Sequence, residues 1–195
     1  MAHYKRVLGE KVYLSPISLE NVDTFMEWLN DPEVIWFTTF HSEIMSLIKE
    51  KEAVENLAKS GTNFSIVTRD DDNGVGKSGV FRNKVIGNCG FFRISEINRT
   101  AEVGIIIGEK DYWGKGYGSD ALRLLIKFGF ENRNFNSINL RVFSFNERAI
   151  ACYEKVGFKR QGTCREAVIR GNRKYDLIYM DILASEYFEK KGDIQ

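Results

Sequence analysis

Between Ala101 and Phe130 the chain reads AEVGIIIGEKDYWGKGYGSDALRLLIKFGF, and few backbones accommodate that order of residues. Val103–Ile107 is short, apolar and β-branched, which suits an interior strand. Gly114, Gly116 and Gly118 then alternate through a turn, where glycine permits positive φ and lets successive N–H groups converge on an anion. From Ser119 onward, Ala121, Leu124, Leu125 and Phe128 recur at helical spacing and predict a face packed on a sheet. A strand, a glycine turn and a helix N-terminus together favour a phosphate group, and Lys115 adds a positive charge. The same residues also suit a plain strand-to-helix connection that needs glycine for close packing. Two common phosphate loops are excluded. A Walker loop requires G-x-x-x-x-G-K-S/T, and a dinucleotide fingerprint requires G-x-G-x-x-G with an acidic residue at the end of the next strand. GKGYGS satisfies neither, and the strand Ile138–Phe143 is followed by Ser144 and Asn146.

The spacing Trp113-Gly114-Lys115-Gly116-Tyr117-Gly118 resembles the acetyl-CoA loop of the GNAT superfamily of N-acetyltransferases, R/Q-x-x-G-x-G/A, apart from its first position. Trp113 departs from the general pattern there. It is similar to the Y-W-G-K-G-Y run of the ribosomal-protein N-terminal acetyltransferases and their polyamine-acetylating relatives. A second block, NERAIACYEKVGF from Asn146 to Phe158, resembles the N-x-x-A-x-x-x-Y-x-x-x-G-F helix of the same family. Two blocks in register are more specific than either alone, and the resemblance spans nearly the whole chain.

With 195 residues the chain is most simply one domain, here 1–195 as a single N-acetyltransferase domain. Its net charge of +1 gives no general drive toward nucleic acid or an anionic membrane, so neither is expected as a partner. Cys89, Cys152 and Cys164 are odd in number and lack metal-type spacing, which indicates neither a disulfide framework nor a metal site. Reduced thiols, and the absence of an apolar signal core or a long apolar run, imply a cytoplasmic protein. A monomer or homodimer is expected.

Lys11–Ile17 reads as a strand, and Ser18 as the N-cap of a helix carrying Val22, Phe25, Met26 and Leu29 on one face. Pro32 ends that helix. Ser42 is the expected cap of a second helix running to about Ser60, with Gly61 as its stop. Strands follow at Phe64–Thr68, Val85–Ile94, Glu102–Ile107 and Ile138–Phe143, then the Asn146 helix. Lys159–Ile169 and Lys174–Leu183 read as a hairpin around Gly171-Asn172. Asp70–Gly79 reads as a solvated hairpin extension. The order β-α-α-β-β-β-α-β-α-β-β predicts an α+β, three-layer arrangement: a mixed, mostly antiparallel sheet with helices on both faces. It matches the GNAT fold.

The resemblance implies acetyl-CoA as co-substrate and an amine as acceptor. It assigns the cofactor turn to Trp113, Gly114, Lys115, Gly116, Tyr117, Gly118 and Ser119, whose backbone N–H groups from about Lys115 take the diphosphate. Asp120 would repel phosphate, so it is expected to point outward in a structural role. Pantetheine is expected along the main chain of Ile105, Ile106 and Ile107, like an added strand. Asn146 and Tyr153 share one helix face about 10 Å apart along the axis. By resemblance Asn146 contacts the cofactor and Tyr153 lies near the thioester sulfur. A phenol of pKa about 10 can protonate a thiolate of pKa about 8.5. Asn146 also suits a plain N-cap, and Tyr153 suits core packing. Glu102 is a candidate base, or a salt-bridged strand end; no base is needed if the amine arrives neutral. Cys152 lacks a neighbouring histidine in sequence and reads as an inert buried thiol. Glu33, Trp36 and Phe37 are candidate acceptor-binding residues, by cation–π contact and countercharge, or else hydrophobic filling.

These residues imply direct attack by a primary amine within a ternary complex. A protein N-terminus of ribosomal type is the leading acceptor. A spermidine-like polyamine or an amino sugar is the alternative, and a non-catalytic CoA-binding regulator is the reading from another class.

Overall fold

The computed structural model describes residues 3–69 and 83–192, so the Asp70–Gly79 extension lies outside the described residues. Among them the elements run β1 (Val7–Leu8), β2 (Val12–Pro16), α1 (Val22–Leu29), α2 (Pro32–Ile35), α3 (Leu47–Ser60), β3 (Asn63–Thr68), β4 (Val85–Ser95) and β5 (Thr100–Ile107). They continue with α4 (Tyr117–Lys127), β6 (Ser137–Phe143), α5 (Glu147–Val156), β7 (Lys159–Arg170), β8 (Arg173–Leu183) and α6 (Ala184–Lys191). β1, α2 and α6 add to the expected order. The strands form one sheet in the order β1-β2-β3-β4-β5-β6-β8-β7. The pairs β1–β2, β2–β3, β3–β4, β6–β8 and β7–β8 are antiparallel, while β5–β6 is parallel, giving the mixed α+β sheet expected. The β5–β6 register runs from Thr100↔Ser137 to Glu102↔Asn139 and ends there, although β5 continues to Ile107. On its other edge β6 stays paired with β8 through Phe143↔Leu177.

The chain forms two compact units. The first joins Met1–Gly90 to Ile105–Leu125. Its core gathers Tyr13, Ile17, Val22, Phe25, Trp28, Val34, Val54 and Val67, with Ile106 and Trp113 packed against it. Helix α3 begins later than the sequence suggests, because Ser46, not Ser42, accepts the hydrogen bond from the Lys49 N–H. The reason is tertiary. The Asn30 amide donates to the Met45 carbonyl (3.1 Å) and accepts from the Met45 N–H (3.2 Å), holding that residue buried just before the helix.

Glu50, on α3, is buried, with one carboxylate oxygen lacking a hydrogen-bond partner. Desolvation pushes its pKa from 4.5 up to about 7. The folded state therefore holds this proton more tightly than the unfolded chain does. The associated stability is present below 4.5 and is lost as pH rises through about 7. Glu50→Gln should raise stability at pH 8 by about 1–3 kcal/mol and flatten the dependence between pH 5 and 8, as read by urea unfolding. Equal stabilities at pH 5 and 8 for the parent protein would contradict this assignment.

The second unit joins Phe91–Gly104 to Ile126–Gln195. Phe91, Phe135, Ile138, Leu140, Ile150, Ile178, Met180 and Ile182 are buried. Gly129, in the turn that follows α4, lets the chain approach them: a Cβ there would stand 2.8 Å from both Ile138 and Phe91. Asn146 caps α5 by accepting from the Ala149 N–H, and Gly157 closes it at φ +119°.

Candidate functional site

In the first unit, the turn after β5 takes the conformation its glycines suggested. Gly114 and Gly116 lie at φ +70° and +87°, where a side chain would strain the backbone. Gly118 instead sits in the first turn of α4, which starts at Tyr117. Gly114 and Lys115 are exposed, while Ser119 is buried. Asp120 does not point outward. It is buried, and its Oδ2 accepts the N–H groups of Lys11 (2.8 Å) and Val12 (3.1 Å), at the start of β2. The carboxylate is thus consumed by backbone donors and turned from the exposed turn. Gly9 makes this possible, since a Cβ there would stand 2.5 Å from that oxygen.

Lys11 was not legible as a site residue. Its ammonium donates to the Lys115 carbonyl (3.0 Å) and lies 5.3 Å from the centre of the Tyr117 ring, which brings a second cation to the turn. Only folding makes residues so distant in sequence adjacent. Ile105, Ile106 and Ile107 are partly exposed, and the Ile107 carbonyl accepts the Trp113 indole N–H at 2.7 Å. Trp113, the one departure from the general loop pattern, therefore pins the turn to the end of β5.

The candidate acceptor residues lie in the same unit. The Phe37 ring meets Trp113 edge-on, with centroids 6.2 Å apart, and Trp36 is exposed, edge-on to His41. Glu33 already has a cation: Lys110 reaches its Oε2 at 2.9 Å and Asp31 Oδ2 at 2.8 Å. These hydrogen bonds, led by the one Lys110 donates to Asp31, push the Lys110 pKa up. The strand end preceding Lys110 is fixed to α1. A Cβ on Gly108 would stand 1.9 Å from Trp28 Cδ2, and the Trp28 indole donates to Glu109 (3.2 Å).

The second unit carries Glu102, Asn146 and Tyr153. Glu102 is held between two guanidinium groups, at 2.8 Å from Arg93 and 2.8 Å from Arg141. Asn146 is the α5 cap described above. Tyr153 is partly buried, edge-on to Phe158 at 6.0 Å. Desolvation, with a smaller contribution from Cys152, pushes its phenol above the usual tyrosine range. Cys152 itself is partly exposed; the buried thiol is Cys89, whose pKa burial raises.

A family model described as Acetyltransferase (GNAT) domain matches residues 11–159. The uncharacterized N-acetyltransferase p20 of Bacillus licheniformis is 29% identical over 182 residues, covering 91% of this chain and 96% of its own. A Bacillus subtilis (strain 168) protein provisionally named ribosomal N-acetyltransferase YdaF is also 29% identical, over 62% of this chain and 66% of its own. Among solved structures, a Bacillus anthracis GNAT-family acetyltransferase superposes with TM-score 0.76 at 20% identity, covering 92% of this chain and 99% of that one. The spermidine N-acetyltransferase of Vibrio cholerae, in complex with CoA and spermine, superposes with TM-score 0.74 at 23% identity, over 91% and 98%. These likenesses establish the fold.

Proposed function

Because this chain belongs to the GNAT acetyltransferase domain family, we propose that it acts as a single domain moving an acetyl group from acetyl-CoA to a protein N-terminal amine, by direct attack in a ternary complex. Acetyl-CoA supplies an activated acyl group as a thioester. The observation that carries the reading is the turn: two glycines at positive φ lead into the N-terminus of α4, while Asp120 is spent on the β2 backbone. Such a turn fits a diphosphate, with Lys115, Lys11 and the Ser119 hydroxyl beside it. The β5 main chain beyond Glu102, where pairing with β6 stops, fits pantetheine as an added strand. As the family resemblance implies, Asn146 serves the cofactor and Tyr153 returns a proton to the leaving sulfur. Glu102, shared by two arginines, orders the strand end, and the acceptor enters as a neutral amine.

The name of YdaF favours a protein N-terminus, and that of the Vibrio cholerae enzyme keeps a polyamine as the second reading. Free-thiol release from acetyl-CoA should appear with Ser-, Ala- or Leu-starting peptides and label their α-amine by mass spectrometry. Bound acetyl-CoA without release for any peptide, spermidine or amino sugar would instead indicate a CoA-binding regulator.

A further inference from the structure

The acceptor segment shows a mismatch between its charges and its exposed surface. Between Asp31 and Ile48 the acidic residues are Asp31, Glu33 and Glu43. The first two share the ammonium of Lys110, at 2.8 and 2.9 Å, and Glu43 is paired with Lys49. The ammonium groups of a polyamine are met by charge-assisted hydrogen bonds to carboxylates that face them. Here the two carboxylates beside the candidate aromatic residues already hold an ammonium from within the chain. Alongside these paired carboxylates and a few hydroxyl residues, the same stretch leaves large apolar groups open to solvent: Trp36, Phe40, Ile44, Leu47 and Ile48 are all exposed, Ile44 by 89%. Phe37, between Trp36 and Phe40 in sequence, stands edge-on to Trp113.

We propose that Lys110 is a specificity-determining residue: by filling the Asp31–Glu33 pair it turns the acceptor site against polyamines and toward peptide N-termini with apolar first side chains. The inference rests on residues 33–40 being the acceptor side, as read above. A peptide N-terminus carries one amine and enters as the free base, so it needs no fixed countercharge. Its first side chains are matched by the exposed aromatic and aliphatic groups.

The test compares kcat/KM for spermidine with that for a Leu-starting peptide. The parent enzyme should favour the peptide, and Lys110→Met should raise the spermidine-to-peptide ratio by about tenfold or more as the carboxylates come free. Lys110→Arg, which keeps the pairing, should stay within about twofold of the parent, and adding Glu33→Gln to Lys110→Met should remove most of the gain. An unchanged ratio in Lys110→Met, or a parent enzyme that prefers spermidine, overturns the inference. Should no acceptor release thiol, the transfer reading fails on its own and calorimetry decides for Lys110. Spermidine should then bind acetyl-CoA-saturated Lys110→Met about tenfold more tightly than the parent, and equal affinities refute the assignment.

Discussion

Replacing Tyr153 by phenylalanine should lower kcat by about 10²- to 10⁴-fold and leave the Kd for acetyl-CoA within about twofold, as expected when one positioned proton donor is removed. The substitution deletes an oxygen and keeps the ring, so the edge-on contact with Phe158 survives. The pH profile adds a second readout. Desolvation raises the phenol pKa, so the neutral, proton-bearing form persists above the ordinary tyrosine range. Loss of kcat through ionisation of this group should therefore begin only above about pH 10. Unchanged kcat in the phenylalanine variant would assign protonation of the leaving sulfur to another donor.

Gly118→Glu should weaken acetyl-CoA binding by about 10²-fold or more. A like charge brought within about 4–6 Å of a phosphate costs about 3 kcal/mol at an effective dielectric near 20, and each 1.4 kcal/mol is tenfold. Position 118 isolates that effect. Gly118 lies within α4, outside the left-handed region, and a Cβ there would meet only the Ile107 side chain, at an ordinary 3.5 Å. Gly118→Ala should accordingly bind acetyl-CoA within about threefold of the parent and melt at nearly the same temperature. Equal affinity in the glutamate variant, by calorimetry on a folded sample, would remove the diphosphate from this turn.

Local chemistry made much of this molecule legible. The positive φ of Gly114 and Gly116, the buried face of Ala121, Leu124 and Leu125 on α4 with Phe128 just beyond it, the Asn146 cap and the β7–β8 hairpin each follow from residues close together in sequence. What stayed hidden was set by distant partners. Two serines stand before α3, and the choice of Ser46 depends on Asn30 clasping Met45. Asp120 turns inward because the N–H groups of Lys11 and Val12 await it there. Likewise, nothing beside Lys110 in sequence announces that it will sit between Asp31 and Glu33. The end of β5–β6 pairing at Glu102 has no residue signature at all, since Val103–Ile107 reads as any interior strand.

The close seat of Trp28 on Gly108 bears on how this enzyme could be re-targeted. No side chain fits at position 108 while that indole stays in place, and Glu109, which the indole also holds, immediately precedes Lys110. α1, Gly108 and Lys110 thus behave as one cassette. A combinatorial library that randomises the acceptor stretch while keeping Trp28 and Gly108 fixed would explore selectivity on an intact frame. One that varies either of the two alone would mostly sample destabilised chains, overpacked at position 108 or left with a cavity at position 28.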